Sequence, residues 1–552
     1  MSRSRLATVL LPLVGSFVLA CLLPAARAQQ PATRQPADQG KLSAFALSDR
    51  VDRHVSARWR KEGVKPTAAA DDATFYRRVH LDLVGKIPTI LEIRDFLSDD
   101  RPDKRKIWVE KLLESDEFAD HFANVYRQMM LPTVENQEAI FSLGGFENWL
   151  RKKLKENVPY DKMVRELLTA NVQPGAGFRG QEDMSNANPV AFYAANEYKA
   201  ENLAGAAARL FLGVKIECAQ CHKHPFADWT QKQFWEFAVF FTRVNPNGQV
   251  EIDDNGNQVV KPQPKNVALE PQITIPKTDI VVKAKFLDGK SPIWTTGMDP
   301  RKVLSEWITS PSNEYFARIT VNQMWHYFFG TGLVDPFDDF GDHNPATHPE
   351  LLDELSEQFV KSGYDLKYLA RTIVNSKTYQ LSSTPTIKKR DDDDPENMRL
   401  FARMPLRQLS GEQLFDSLAE VMEYKVDRTR QAFALGQTPR EEFLAKFNNP
   451  ENKRVDTHTS ILQALHLMNG KFMANATSLE KNKTLATVAA SSASIPAKVE
   501  TLFLVTLARP PRPEELERMV SHVNNGPMEE QAQRLGDIMW VLLNSAEFSL
   551  NH

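Results

Sequence analysis

The sequence predicts a mainly α-helical protein in which two helical domains are separated by a small β-rich element. Three observations predict it. Apolar residues recur at helical spacing, punctuated by caps and breakers, up to Phe241 and again from Arg301 onward. Between these stretches, residues 244–292 turn to Asn-Gly pairs and short β-branched runs. The chain has 552 residues, well beyond the roughly 250–300 at which a single core stops growing.

The chain opens on a leader. Arg3 and Arg5 precede an almost wholly apolar run from Leu6 to Leu23, and Ala26-Arg27-Ala28 puts small residues where a signal peptidase reads them. Residues 1–28 are therefore expected to be a cleaved signal peptide, and the protein periplasmic or secreted. A retained anchor is the competing reading, since the run is long enough to cross a bilayer. Residues 29–44 are polar and Pro-containing, and a disordered leader is expected there. No later segment is apolar for long enough to cross a membrane, so no transmembrane span is expected after cleavage.

The first helical domain is placed at 45–241. Asp71-Asp72 precede an apolar pattern at Phe75, Val79, Leu81 and Leu83; Pro88-Thr89 break it and start a helix through Ile93 and Phe96; Ile107, Leu112 and Leu113 mark the next. Phe146 to Leu154 and Met163 to Leu168 continue the pattern, and the polar, glycine-rich stretch Gly175 to Ser185 reads as a long surface loop. In the β-rich connector, 242–300, Asn247-Gly248 and Asn255-Gly256 accompany the runs Gln258 to Val260, Ile273 to Ile275 and Ile280 to Val282, a hairpin pattern.

The second helical domain is placed at 301–552. Ser312-Asn313 cap a helix through Phe316, Ile319, Met324 and Tyr327, which Gly330 and Gly332 stop. Thr347-His348-Pro349-Glu350 has the form of a capping box before Leu351, Leu352, Leu355 and Phe359. The charge block from Lys388 to Pro395 reads as a solvated linker rather than a calcium site.

Composition excludes some functions. Lys+Arg number 68 against 71 Asp+Glu, a net charge of −3 that becomes more negative once Arg3, Arg5 and Arg27 are removed. That balance gives no basic footprint for nucleic acid. A Gly-rich phosphate loop, a G-x-S-x-G elbow and an H-E-x-x-H motif are all missing. A carboxylate pair for glycoside hydrolysis has no fixed spacing and stays open, so whether the protein is an enzyme is undecided at this point.

The chemistry concentrates in Cys218-Ala219-Gln220-Cys221-His222. With Cys21 in the leader, Cys218 and Cys221 are the mature chain's only cysteines, too few for a disulfide framework. Covalent haem attachment needs two thiols for the two vinyl groups and a histidine beside the second thiol to ligate iron. On an α-helix, Cys218 and Cys221 share a face and His222 lies one turn from Cys218. Haem c, with His222 as proximal ligand, is the expected cofactor.

Other readings stay open. A thioredoxin-like pair would want a strand before the motif, whereas Leu203 to Leu212 reads helical. A plain disulfide is possible in an oxidising compartment. A single metal ion could be held by both thiols with His222 and His224. On a helix those two histidines point about 200° apart, so that site needs an irregular loop. For a sixth haem ligand the candidates are His224, Met324, His326, His343, His348 or an open position. The acids of Asp335 to Asp342 read as a generic acidic loop rather than a metal or catalytic site.

Several longer motifs carry a family resemblance. Phe75-Tyr76-Arg77-Arg78-Val79-His80-Leu81-Asp82-Leu83 with Gly85 and Pro88 opens the first, and Cys218 to Phe226 followed by Trp229-Thr230-Gln231 closes it. Ala317-Arg318, Asn322, Trp325, Phe329-Gly330, Asp339-Phe340-Gly341 and His348 to Leu352 carry the second, with Leu543 to Phe548 and Asn551-His552 at its end. These residues resemble planctomycete exported proteins built from domain of unknown function 1549, also described as cytochrome-like, followed by domain of unknown function 1553. The resemblance implies haem, though through the same CxxCH motif. Such proteins often carry a separate cytochrome module ahead of the first domain; its absence here implies at most one haem.

The expectation is thus an exported single-haem c-type cytochrome-like protein, handling electrons at the cell envelope with a redox partner or envelope component. The alternative is an exported enzyme or carbohydrate-processing factor in which Cys218-Cys221 is a structural disulfide or metal site.

Overall fold

A computed structural model describes residues 40–131, 134, 137–172, 187–223, 227–244, 249–252, 258–261, 270–384, 398–425, 438–447 and 470–552. The leader 1–28, most of 29–44, the stretch Gly175 to Ser185, His224 and the charge block Lys388 to Pro395 lie outside these residues. Helix dominates, as the periodicity predicts. The first helical region runs through α1 (Ala44–Glu62), α2 (Asp72–Leu83), α3 (Ile90–Ser98), α4 (Lys104–Leu113), α5 (Asp116–Met130), α6 (Gln137–Lys155), α7 (Tyr160–Leu168), α8 (Val190–Ala195), α9 (Ala200–Leu212) and α10 (Gln231–Ala238).

The connector supplies β1 (Gln249–Ile252) with β2 (Gln258–Lys261), and β3 (Gln272–Thr274) with β4 (Val281–Lys283). Both pairs are antiparallel, with Ile252 opposite Gln258 and Thr274 opposite Val281. This is the small strand element expected between the helical regions. A third ladder, β5 (Arg407–Gln408) with β6 (Leu550–Asn551), ties the last residues to the middle of the second region.

The second region contains α11 (Pro300–Ile308), α12 (Glu314–Phe329), α13 (Pro349–Lys361), α14 (Leu366–Val374), α15 (Gly411–Val421), α16 (Pro439–Phe447), α17 (Lys471–Ala476), α18 (Lys483–Ala490), α19 (Ile495–Leu507), α20 (Pro513–Asn524), α21 (Gln531–Leu543) and α22 (Ala546–Ser549). No described helix is long and apolar enough to cross a membrane.

Local chemistry sets the helix ends. The Asp71 carboxylate accepts from the Thr74 amide, and Thr89 forms a complete capping box with Glu92. Asn313 caps α12, and Gly330 ends it in the left-handed conformation (φ 71°) that costs glycine little. The expected capping box at Thr347 to Glu350 does not form. His348 occupies the N-cap position with no side-chain cap bond, and the Thr347 hydroxyl instead donates to the Leu333 carbonyl at 3.2 Å. Tertiary structure outcompetes the local signal there, because Thr347 is already paired to Leu333 through its backbone amide at 2.8 Å.

The two helical regions share apolar packing. One large core takes in Phe75, Trp149, Phe211, Trp325 and Leu355, drawn from α2, α6, α9, α12 and α13. A second gathers α15 to α22 around Phe415, Leu502 and Met539, and α2 adds Leu81 to it. Helix α2 is therefore covered from both sides, and all nine residues from Phe75 to Leu83 are buried. The charged residues within that stretch, Arg77, Arg78 and Asp82, have no water, so each must find a partner inside. Arg77 donates to the carbonyls of Thr506, Glu547 and Phe548, and Arg78 to those of Tyr379 and His552.

Candidate functional site

The CxxCH segment follows α9 across a short connection whose geometry Gly213 sets. Gly213 ends α9 with φ at 70°, and a Cβ there would lie 2.6 Å from the Phe340 ring. The Gly213 carbonyl also accepts from the Phe340 amide at 2.7 Å. One glycine thus stops the helix and seats an aromatic ring from the other helical region.

Beyond it, Glu217–Gln220 form a single 3₁₀ turn, not the α-helix that the motif geometry assumed. Cys221 closes this turn, and His222 lies past it in an irregular bend. The turn's carbonyls are satisfied from α10. Gln231 donates to the Gln220 and Cys221 carbonyls at 3.1 and 3.2 Å, and Trp235 Nε1 donates to Gln220 at 3.1 Å. With these acceptors engaged, the chain has no call to continue as an α-helix. Gly205 of α9 makes room behind the turn, since a Cβ there would meet Glu217 Cγ at 2.7 Å.

The consequences for the cysteines are specific. In a 3₁₀ turn, side chains three apart eclipse, so the Cys218–Cys221 spacing puts both thiols on one side. Both are exposed and unpaired to each other, while Ala219 between them is fully buried. His222 is exposed, and its Nδ1 lies 2.7 Å from the Lys223 carbonyl. A carbonyl only accepts, so Nδ1 is the donor; metal-ligating histidines commonly donate one ring N–H to a backbone carbonyl in this way and ligate through the other nitrogen. These three residues fit the requirements of c-type attachment: two accessible thiols on one side and an oriented imidazole beside the second. His224 lies outside the described residues. Among the described residues, no group of three or more His, Cys, Asp or Glu is placed to hold a metal ion.

The remaining ligand candidates separate. Met324 is buried on α12, the His326 ring packs on Phe337 with centroids 4.6 Å apart, and His348 is buried against Phe401. Burial, with the nearby charges of Arg58 and His54, pushes the His348 imidazole down to about 4. His343 differs: it stands near the surface with Nε2 3.2 Å from Asp339 Oδ1, and Gly341 leaves space beneath its ring.

A cavity of about 650 Å³ lies beside the motif. Lys223, Ala227, Asp228 and Trp229 line one wall, and Glu314, Tyr315 and Arg318 of α12 with residues 340–346 line the other. The acidic loop Asp335 to Asp342 is part of this construction. Asp338 pairs with Lys215 at 2.9 Å, and Asn322 of α12 donates to the Val334 and Phe337 carbonyls while accepting from the Val334 amide. Sequence reasoning missed Glu314, Tyr315 and the wall they form. The only signal was that Trp229, Arg318, Phe340 and Gly341 recur in the resemblance motifs.

Fold and motif define a class: a mainly helical protein of two helical regions with a small strand element between them, and an exposed CxxCH turn where they meet. The chain belongs to the family in which PSCyt2, a domain of unknown function (DUF1549), is followed by PSD1, a domain of unknown function (DUF1553). The first matches residues 50–246, and the second matches 300–432 and 422–523. The name PSCyt2 hints at a cytochrome-like family. No curated protein and no solved structure matches the chain.

Proposed function

We propose that this chain is an exported, single-haem, c-type cytochrome-like protein that handles electrons at the cell envelope. The reading is carried by one observation. Cys218 and Cys221 stand exposed on one turn, and the exposed His222 beside them is oriented by the Lys223 carbonyl at Nδ1. Bound there, haem supplies one-electron chemistry at its iron. Cys218 and Cys221 would hold the haem through thioethers, each formed by adding the thiol S–H across a vinyl group, and His222 would ligate the iron. Gln231 and Trp235 keep the turn in register by binding its carbonyls. The leader and its Ala26-Arg27-Ala28 site support export to the periplasm or beyond, where a redox partner or envelope component would take the electron.

The test is haem staining after denaturing electrophoresis, on protein made with a cytochrome c maturation system. A stained band that disappears in Cys218→Ala is expected. A colourless wild-type protein overturns the reading. Two exposed thiols with an oriented imidazole beside them also suit a second reading, a single metal ion on Cys218, Cys221, His222 and His224. It expects colourless protein carrying one equivalent of zinc by elemental analysis.

A further inference from the structure

The cavity between the two helical regions is separate from the cysteine motif: neither thiol nor His222 lines it. Three features bear on what it would take. Its size falls within the roughly 300–1,000 Å³ of ordinary small-molecule sites. Aromatic rings stand on both walls, Trp229 on one and Tyr315 and Phe340 on the other. Tyr315 is 45% exposed, although it sits at the start of a helix whose later residues are almost all buried.

The third feature is the charge pattern. Two cations in the wall have carboxylate partners, Lys223 with Asp228 at 3.2 Å and Arg318 with Asp353. His343 is held by Asp339, and the Asn344 amide donates to the Asp339 carbonyl at 3.0 Å. Glu314 and Asp342 line the same space, and among the described residues neither carboxylate has an ion-pair partner. With Lys223 and Arg318 engaged by carboxylates of their own, a phosphate or nucleotide would meet these two anions. A neutral ligand rich in hydroxyl groups suits them, because each carboxylate accepts O–H bonds. The C–H faces of such a ligand suit the rings, which are apolar bodies with polar surroundings.

We propose that this cavity binds a neutral saccharide, with Tyr315 and Trp229 covering a sugar face and Glu314 and Asp342 accepting its hydroxyls. The site is built jointly by the two helical regions and stands whether or not haem is attached at Cys218.

Calorimetric titration of the full mature chain with cellohexaose, xylohexaose and mannohexaose tests it. At least one is expected to bind. Tyr315→Ala and Asp342→Asn, both at exposed positions, are each expected to weaken binding about ten-fold or more, with thermal midpoints unchanged. Cys218→Ser is expected to leave the affinity unchanged, so a failure here and a failure of the haem reading are told apart. The proposal is overturned if none of the three binds up to about 10 mM, or if affinity survives in the Tyr315→Ala/Asp342→Asn double variant. Binding of choline in place of the sugars also overturns it, reassigning the space to an organic cation.

Discussion

Arg407 spans both carboxylate oxygens of Asp82, donating from Nη1 to Oδ1 at 2.9 Å and from Nη2 to Oδ2 at 2.7 Å. Neither side chain reaches solvent. The same carboxylate accepts from Tyr379 and Asn551, each of which comes from a distant part of the chain. Burial and the Asp82 charge raise the Tyr379 phenol well above its ordinary value, so it stays a donor. This cluster joins α2 to the second region and to the end of the chain. Arg407→Met leaves the carboxylate buried without its cation and is expected to cost roughly 3–5 kcal/mol. In urea denaturation, an Asp82→Leu/Arg407→Met double variant should lose less than the two single losses added. Simple additivity would show that the pair does not act as a unit.

Gly213 can be compared with Gly63. Both end helices in the left-handed region, at φ 70° and 68°, but a Cβ on Gly63 meets nothing within 4 Å. Gly63→Ala should therefore cost only the backbone term, roughly 1–2 kcal/mol. Gly213→Ala adds the clash with Phe340 and should cost about 1–3 kcal/mol more. Equal losses in chemical denaturation would mean that the Phe340 ring moves aside freely.

Asn322 holds the loop behind the cavity with three hydrogen bonds of 2.9, 2.9 and 3.0 Å. Asn322→Ala strands a buried amide and two carbonyls, at an expected cost of roughly 2–4 kcal/mol. Amide exchange at Val334 should rise locally before global unfolding. Unchanged exchange at Val334 would show that other contacts hold the loop.

His348 makes stability depend on pH. Its folded value is lowered from 6.5 to about 4, so on acidification the unfolded chain takes up the proton first. The contribution is complete above pH 6.5 and is lost progressively down to about pH 4, amounting to roughly 3 kcal/mol. His552 is also lowered to about 4, by burial and the charges of Arg77 and Arg78, so the whole protein loses more than this over the same window. The difference between wild type and His348→Phe isolates the His348 part. Urea stability at pH 7.5 and 4.5 should fall less in the variant; parallel falls would count against it.

Much of the architecture was legible locally. Asp71, Thr89, Asn313 and Gly330 act on backbone groups within four residues, so their helix boundaries follow from short-range chemistry. The antiparallel pair β1–β2 forms in the connector, where short β-branched runs predicted strands. The cysteine pair and its histidine were also plain, because spacing alone brings them together. The helix assumed for them was not found, since the acceptors of the turn are satisfied by Gln231 and Trp235 some ten to fifteen residues further on.

By itself, then, the sequence determined a mainly helical chain, the strand element between its helical regions, and the placement of Cys218, Cys221 and His222. Only the tertiary structure decided that Arg77, Arg78 and Asp82 of α2 are buried among partners from distant parts of the chain, that the cysteines sit on a 3₁₀ turn, and that a cavity with aromatic and carboxylate walls opens beside them. The reason is range. Helix caps and turns are settled by neighbours a few residues away, whereas Asp82 and Arg407 are 325 residues apart and Gly213 meets Phe340 across the two regions. No periodicity or spacing encodes such pairs; they exist only once two cores have formed and removed the water that would otherwise serve as their partner.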